Sequence, residues 1–289
     1  MDSIRIGKNK LDHDAPPILI AGPCVIEDES ATLRLAEQIA ALSATKEYFF
    51  VFKASYAKDN RSASASYRGP GLDEGLRILE RVRNEVGCPV LSDVHAVTEV
   101  SAAAEVLDIL QIPAFLSRQT SLLEAVGHSG RAVNVKKGQF LSPEGVRMAI
   151  EKVRAVGGGD VLVTERGTTF GYNDLVVDFR GLARMRDFGC PVIFDVTHSL
   201  QRPGGLGDRS GGEPKLAAAM ARAAAAVPCD GIFVETHPEP ASAKSDAASM
   251  LPFAQLASLL EGTRRVFAVA RDKNVESDPS ATTLRGSQT

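Results

Sequence analysis

Eight short apolar runs rich in β-branched residues recur along the chain, at positions 17–24, 48–53, 89–95, 109–114, 132–137, 161–166, 191–198 and 231–237. Each has the length of a fully buried strand. Between them, apolar residues return every three or four positions, as in Leu72, Leu76, Leu79 and Val82, so these segments read as amphipathic helices. Strands alternating with helices predict parallel βαβ units, and eight such units predict a closed (β/α)8 TIM barrel. The barrel is expected to occupy residues 1–270 as a single α/β domain with a short N-terminal extension. Residues 271–289 are polar and lack apolar periodicity, which predicts a flexible tail.

The runs are asymmetric. Their C-terminal ends read GPC, FKAS, SDVH, LSRQ, VKKGQ, TERG, DVTH and ETHPEP, clusters of titratable or metal-binding side chains in place of bland turns. In a (β/α)8 barrel the C-terminal strand ends share one mouth, so these clusters can be read as one site.

With 289 residues, 44% of them hydrophobic, the chain can build one large core. A formal net charge of −3 offers no general field for nucleic acid or a membrane surface. Any anion must be held by a local basic cluster, and a small-molecule partner is expected. No charged n-region precedes an apolar h-region, and no apolar run is long enough to span a bilayer, so a cytoplasmic location is expected. Four cysteines without a secretory context do not suggest disulfides. Cys88, Cys190 and Cys229 precede strands, at the end opposite the expected site, and read as structural. Cys24 closes the first strand at the catalytic end.

Lys53, Lys58, Arg61, Arg68, Lys136, Lys137 and Arg166 all fall at or just after strand ends. Fixed cations around a concave mouth suit phosphate or carboxylate, with Arg offering paired donors and Lys a point charge. The bland alternative is a solvated basic rim. A second set, Cys24, His198, Glu235 and Asp246, comes from the ends of strands one, seven and eight and the loop that follows. A thiolate, an imidazole and two carboxylates fit Zn, Fe, Mn or Co better than Mg. Taken singly, Cys24 also reads as a small buried hydrophobe, and the two acids as ion-pair partners for the basic cluster. His95 and His237 stand at strand ends as supporting groups, while His13 and His128 read as surface residues. The glycine-rich stretch 202–212 lacks a P-loop ending and reads either as a lid or as a plain connection.

In colinear order from about Ile18 to Leu260 stand AGPC, FKASYAKDNRS, SYRGPGL, SDVH, QIPAFLSRQT, NVKKGQF, TERGTTFGYNDLVVD, FDVTHSLQ and ETHPEP. Together they closely resemble the 3-deoxy-manno-octulosonate 8-phosphate synthase family, which condenses phosphoenolpyruvate with arabinose 5-phosphate for lipopolysaccharide biosynthesis. The resemblance implies a phosphoenolpyruvate pocket built by Lys53, Lys58, Lys136, Gln139, Arg166 and His198. It implies that Asn60, Arg61 and Ser62 hold the pentose phosphate, that Arg118 reaches in from a neighbouring subunit, and that the assembly is a homotetramer. The family divides into metal-dependent and metal-independent branches, the latter with Asn at the position of Cys24. Cys24, together with His198, Glu235 and the Ser245-Asp246-Ala247 context, resembles the metal-dependent branch. One departure is Asp59, where the family usually has Ala, so a carboxylate stands inside the substrate-binding segment.

The reaction implied is attack of phosphoenolpyruvate C3 on the aldehyde, water addition at C2 and loss of phosphate by C–O cleavage. His198, Lys58, Asp93 and Asp246 are the expected catalytic residues, and Asp93 and His95 are placed to position hydroxyls or relay protons. The first alternative is the related 3-deoxy-arabino-heptulosonate 7-phosphate synthase, which uses erythrose 4-phosphate. Asn60-Arg61-Ser62 argues against it, because that enzyme resembles K-P-R-T there. A metal-dependent sugar-phosphate aldolase would need no phosphoenolpyruvate, and a scaffold protein would tolerate loss of site residues, all of which are present here.

Overall fold

A computed structural model of the chain describes residues 3–59, 66–205 and 210–272. All eight apolar runs form strands: β1 (Ile18–Gly22), β2 (Phe49–Lys53), β3 (Val90–Asp93), β4 (Ile109–Ile112), β5 (Ala132–Lys136), β6 (Val161–Glu165), β7 (Val192–Asp195) and β8 (Gly231–His237). Eight helices follow them in turn: α1 (Glu29–Thr45), α2 (Leu72–Val86), α3 (Val100–Val106), α4 (Thr120–His128), α5 (Pro143–Ala155), α6 (Arg180–Arg186), α7 (Ala217–Ala225) and α8 (Phe253–Ala270). Every strand pairs in parallel with its sequence neighbour, and β8 pairs with β1, so the sheet closes into the expected (β/α)8 barrel. Closure removes both sheet edges.

Local chemistry starts and stops the helices where the periodicity begins and ends. Asp28 caps α1 by accepting from Ala31 N at 2.8 Å, and Ser142 caps α5 by accepting from Gly145 N at 3.0 Å with Pro143 in the first turn. Gly87 ends α2 in the left-handed conformation, φ 76°. The apolar helix faces pack on the outward-facing strand residues, for example Leu35, Ile39 and Leu79 against Phe50 and Phe52, forming the sleeve core.

Strand side chains alternate in and out, which fixes what fills the barrel. At the N-terminal end the inward positions are apolar, including Ile20, Val51, Leu91, Ile109, Leu162 and Phe233. A hairpin of Ile4–Ile6 paired with Asn9–Leu11 plugs this end, inserting Ile4, Ile6 and Leu11 into the same cluster. Each aliphatic side chain buried there contributes about 1.5–3 kcal/mol. Two residues further along each strand the inward positions turn polar: Lys53, Asp93, Gln111, Asn134, Thr164, Asp195 and Glu235, all buried. That layer is the floor of the mouth.

Gly22 shows why the first strand ends as it does. A Cβ at this position would meet the Lys53 carbonyl oxygen at 2.1 Å, so only glycine lets β1 and β2 approach here and aim Pro23-Cys24 into the mouth. Beyond the strands, a hairpin of Thr168–Phe170 with Asp174–Val176 follows β6. Gln201–Arg202 pairs with Gly211–Gly212 after β7, which ties the base of the glycine-rich stretch together. Residues 206–209 of that stretch, read as either a lid or a plain connection, lie outside the described residues, as does the expected tail beyond Asp272.

Candidate active site

At the mouth the end of β1, the end of β8 and the loop before α8 meet. Cys24 Sγ lies 2.9 Å from Asp246 Oδ2 and 3.0 Å from Ser245 Oγ. The ligand atoms of Cys24, Glu235 and Asp246 all lie within 4.8 Å of one another. Asp246 has a left-handed backbone, φ 51°, a conformation that a non-glycine residue holds only when its surroundings enforce it. Gln201 Nε2 donates to its Oδ1 at 3.2 Å.

His198 stands beside this trio. Its Nδ1 is 2.8 Å from Asp195 Oδ2 and its backbone N–H donates to Asp195 Oδ1 at 2.9 Å, so the carboxylate holds the ring at two points. With the proton on Nδ1, the Nε2 lone pair faces Glu235 Oε2 at 3.7 Å, and that oxygen is buried without a hydrogen-bond donor. With a neutral ring two acceptors oppose one another there, and either a proton on Nε2 or a cation between them would resolve it. A histidine backed by a carboxylate is also the usual support for a metal-ligating imidazole. The donors of Cys24, Glu235 and Asp246 therefore fit a divalent cation, with His198 standing beside that cluster and outside it. Burial, then the charges of Asp246 and Glu235, push the Cys24 thiol well above its ordinary range, and a bound cation would reverse that tendency.

Of the predicted cations, Lys53, Lys58, Lys136 and Arg166 converge on the same mouth, and the three lysines each carry a buried partner. Lys53 Nζ meets Glu235 Oε1 at 2.5 Å and the Cys24 carbonyl at 2.8 Å. Lys136 Nζ meets Asp195 Oδ2 at 2.7 Å and sits 4.0 Å from the centre of the Phe233 ring. Lys58 Nζ meets Asp93 Oδ2 at 3.0 Å. Burial opposes the charged form of Asp93, but Lys58 and Lys53 overcome it and hold the carboxyl well below its usual range. For Lys58, burial likewise opposes the charge, and Asp93 leads the neighbouring anions that raise it well above the usual amine value. Glu235 is depressed to about 2, with burial opposed by Lys53, then His198.

Arg166 differs from the lysines. It is 5% exposed, its Nη2 donates to the Gln201 amide oxygen at 2.8 Å, its Nη1 has no partner, and no carboxylate lies within ion-pair reach among the described residues. Burial lowers its affinity for the proton. Gln139 is buried with its Oε1 likewise unpaired.

Other expected residues fall elsewhere. Lys137 turns away to Glu165 at 3.4 Å and to Thr168 and the Leu141 carbonyl, tying β5 to β6 and to the hairpin after it. His95 is held through its backbone N–H by Glu99, and its buried Nδ1 lacks a hydrogen bond. His237 accepts from Glu239 N in a local turn, and His13 and His128 are exposed. Arg118 is exposed. Asn60, Arg61 and Ser62 lie outside the described residues. Asp59 ion-pairs with Arg68, both partly exposed. Cys88, Cys190 and Cys229 are buried at the opposite end, as expected, and form no disulfide, with Cys88 and Cys229 pushed up to about 12 by burial. Sequence reasoning did not single out Asp195 or Gln201, although Asp195 lies within the quoted strand end and, three residues before His198, can bond both its backbone N–H and its ring.

Residues 3–268 match the model of the family described as "DAHP synthetase I family". Among curated proteins, the 2-dehydro-3-deoxyphosphooctonate aldolase of Syntrophotalea carbinolica is 51% identical over 276 residues, 96% of this chain and 99% of the relative. Its namesake from Syntrophobacter fumaroxidans is 53% identical over 88% of each chain, and that from Geobacter sulfurreducens 48% identical over 93% of this chain and 98% of the relative. No helix among the described residues is long and apolar enough to cross a membrane.

Proposed function

This chain belongs to the DAHP synthetase I family, and on that premise we propose that it condenses phosphoenolpyruvate with D-arabinose 5-phosphate and water, giving 3-deoxy-D-manno-octulosonate 8-phosphate and inorganic phosphate for lipopolysaccharide biosynthesis. The name shared by its relatives at about half identity supports the eight-carbon product over the seven-carbon one. The observation that carries the reading at the site is Arg166, a buried guanidinium with an unpaired Nη1 and no carboxylate in ion-pair reach among the described residues. Such a charge is costly to bury unless an anion arrives to meet it. Phosphoenolpyruvate brings both a carboxylate and a phosphate.

Lys58, Lys136 and Arg166 neutralise these groups, and the partners already holding the two lysines mean that little reorganisation accompanies binding. Asp195 fixes Lys136 and His198 together, while Lys53 balances Glu235. In the buried floor, Lys53, Lys58 and Lys136 are each matched by a carboxylate, Glu235, Asp93 and Asp195, so these pairs alone offer little positive surplus for two anionic substrates. Cys24, His198, Glu235 and Asp246 would hold a divalent cation (Zn, Fe, Mn or Co), which would add positive charge and electrophilic polarisation. C3 of phosphoenolpyruvate then bonds to the aldehyde carbon, water adds at C2, and the C–O bond to phosphate breaks. Phosphoenolpyruvate carrying 18O in its bridging position should therefore release labelled inorganic phosphate, read by mass spectrometry. Label retained in the sugar acid would overturn this bond assignment.

Asp59 does not oppose the substrates, because Arg68 draws its carboxylate into an exposed ion pair. Asp59→Ala is expected to change either Michaelis constant by less than about fivefold, equivalent to roughly 1 kcal/mol. Steady-state kinetics with each substrate varied would show a larger fall if the carboxylate faced the anions. A homotetramer with Arg118 completing a neighbour's site is supported by its exposed position beside Phe115, itself 56% exposed. The enzyme is proposed to act in the cytoplasm.

A further inference from the structure

The polar floor contains a chain of groups that the proposed chemistry does not use. Thr164 Oγ1 donates to Asn134 Oδ1 at 2.8 Å, Asn134 Nδ2 donates to Gln111 Oε1 at 2.8 Å, and Gln111 Nε2 donates to Asp93 Oδ1 at 2.6 Å. Gln111, Asn134 and Thr164 are fully buried. The barrel register makes the chain possible, since Asp93 is the direct partner of Gln111, and Gln111 of Asn134, across β3, β4 and β5. We propose that Thr164, Asn134 and Gln111 form a one-way hydrogen-bond relay that ends on the Asp93 carboxylate, holds it in place and thereby positions Lys58.

The direction follows from donor and acceptor inventory. An ionised carboxylate only accepts, and Asp93 takes three donors: Gln111 Nε2, Ser55 Oγ at 2.6 Å and Lys58 Nζ at 3.0 Å. Each carboxamide has one accepting and one donating end, so the orientation of each is set by its neighbour. Flipping either would oppose two oxygens in a buried site, where an unmet or clashing polar group carries its full desolvation cost. The Thr164 hydroxyl at the far end satisfies the last acceptor. Removing it leaves the Asn134 oxygen buried without a donor, so the chain that holds the Gln111 amide on Asp93 loses its far anchor. The charged groups around that carboxylate are Lys53 and Lys58 from β2 and the segment after it, His95 from its own strand end, and Lys136 from β5. Only the Gln111 contact depends on the relay.

The role given to Lys58 rests on the proposed function, whereas the relay does not, so the test has two arms on the intact chain. The first is a double-mutant cycle on urea unfolding with Thr164→Val and Asp93→Asn. An amide at position 93 accepts either orientation of Gln111, so Thr164→Val should lower the folding equilibrium constant at least about fivefold more with Asp93 present than in the Asp93→Asn background. Equal losses in the two backgrounds would overturn the relay. The second arm compares Thr164→Val with Thr164→Ser in steady-state turnover. Val should raise the Michaelis constant for phosphoenolpyruvate about tenfold, with a smaller change in kcat, and Ser should return it to within about twofold of wild type. Val and Ser behaving alike would mean that the hydroxyl is packing only, and this comparison decides the matter if Asp93→Asn does not fold. A wild-type protein without turnover would sink the proposed function and leave the unfolding cycle to judge the relay.

Discussion

Exhaustive removal of divalent metal is expected to lower turnover by more than about a hundredfold, and Zn, Mn, Fe or Co to restore it, since electrophilic assistance by a cation supplies several kcal/mol and each ~1.4 kcal/mol is tenfold. The expectation follows from the geometry at the end of β8. Glu235 Oε2 is buried without a donor and faces His198 Nε2, while the Cys24 and Asp246 ligand atoms complete a cluster within 4.8 Å around Glu235. The floor points the same way, because its three lysines, Lys53, Lys58 and Lys136, are each paired with a carboxylate before either anionic substrate enters. Mg should restore activity poorly, since a thiol ligand suits softer ions. Metal analysis of the treated protein, run beside the activity assay, is the control: full turnover with verified metal loss would remove the cation from the mechanism.

The second large effect concerns Cys24. Cys24→Ala should lose more than about a hundredfold in turnover, because the methyl side chain offers neither a bond to a cation nor a hydrogen bond. Cys24→Asn should retain activity within about tenfold of wild type and become insensitive to chelator, since the amide can hydrogen-bond a water or hydroxyl where the cation stood. The structure leaves room for this exchange. Ser245 Oγ and Asp246 Oδ2 lie 3.0 and 2.9 Å from Sγ, so an amide there has partners for both its ends. Turnover of both variants, with and without chelator, checks the claim. Equal, metal-rescued activity in the two would make Cys24 a packed strand-end residue and the ligand set wrong.

The barrel was legible because parallel strands buried on both faces read as continuous apolar runs, and all eight such runs are strands. What periodicity missed was too short or too exposed to carry a signal. The N-terminal plug consists of two strands of three residues each, and it is revealed only by where Ile4, Ile6 and Leu11 are buried. The hairpin after β6 exposes Phe170 at its first strand's end and Tyr172 in its turn, so no apolar face marks it. In the site, strand-end position identified Cys24, Lys53, Asp93, Lys136, Arg166, His198 and Glu235 as one mouth, and the structure brings them together there. Gln111 and Asn134 passed unnoticed because each interrupts an apolar run by a single residue, and Thr164 because it stands at the start of a charged strand end. Counting by two from Ile109, Ala132 and Leu162 lands on them, and two more steps along β5 and β6 reach Lys136 and Arg166, so inward parity carried the signal. Asp246 reads at first only as a carboxylate in the loop after β8, and resemblance to a family motif strengthens it. No spacing rule leads from a strand end to a left-handed residue eleven positions beyond Glu235.

The central claim is the identity of the two substrates, and it is tested most directly by following inorganic phosphate release from phosphoenolpyruvate with arabinose 5-phosphate and with erythrose 4-phosphate in the same metal-replete assay. Phosphate release that depends on arabinose 5-phosphate, with a kcat/KM at least about a hundredfold above that for erythrose 4-phosphate, is the expected result. Preference for erythrose 4-phosphate, or carbon–carbon bond formation without phosphoenolpyruvate, would contradict it.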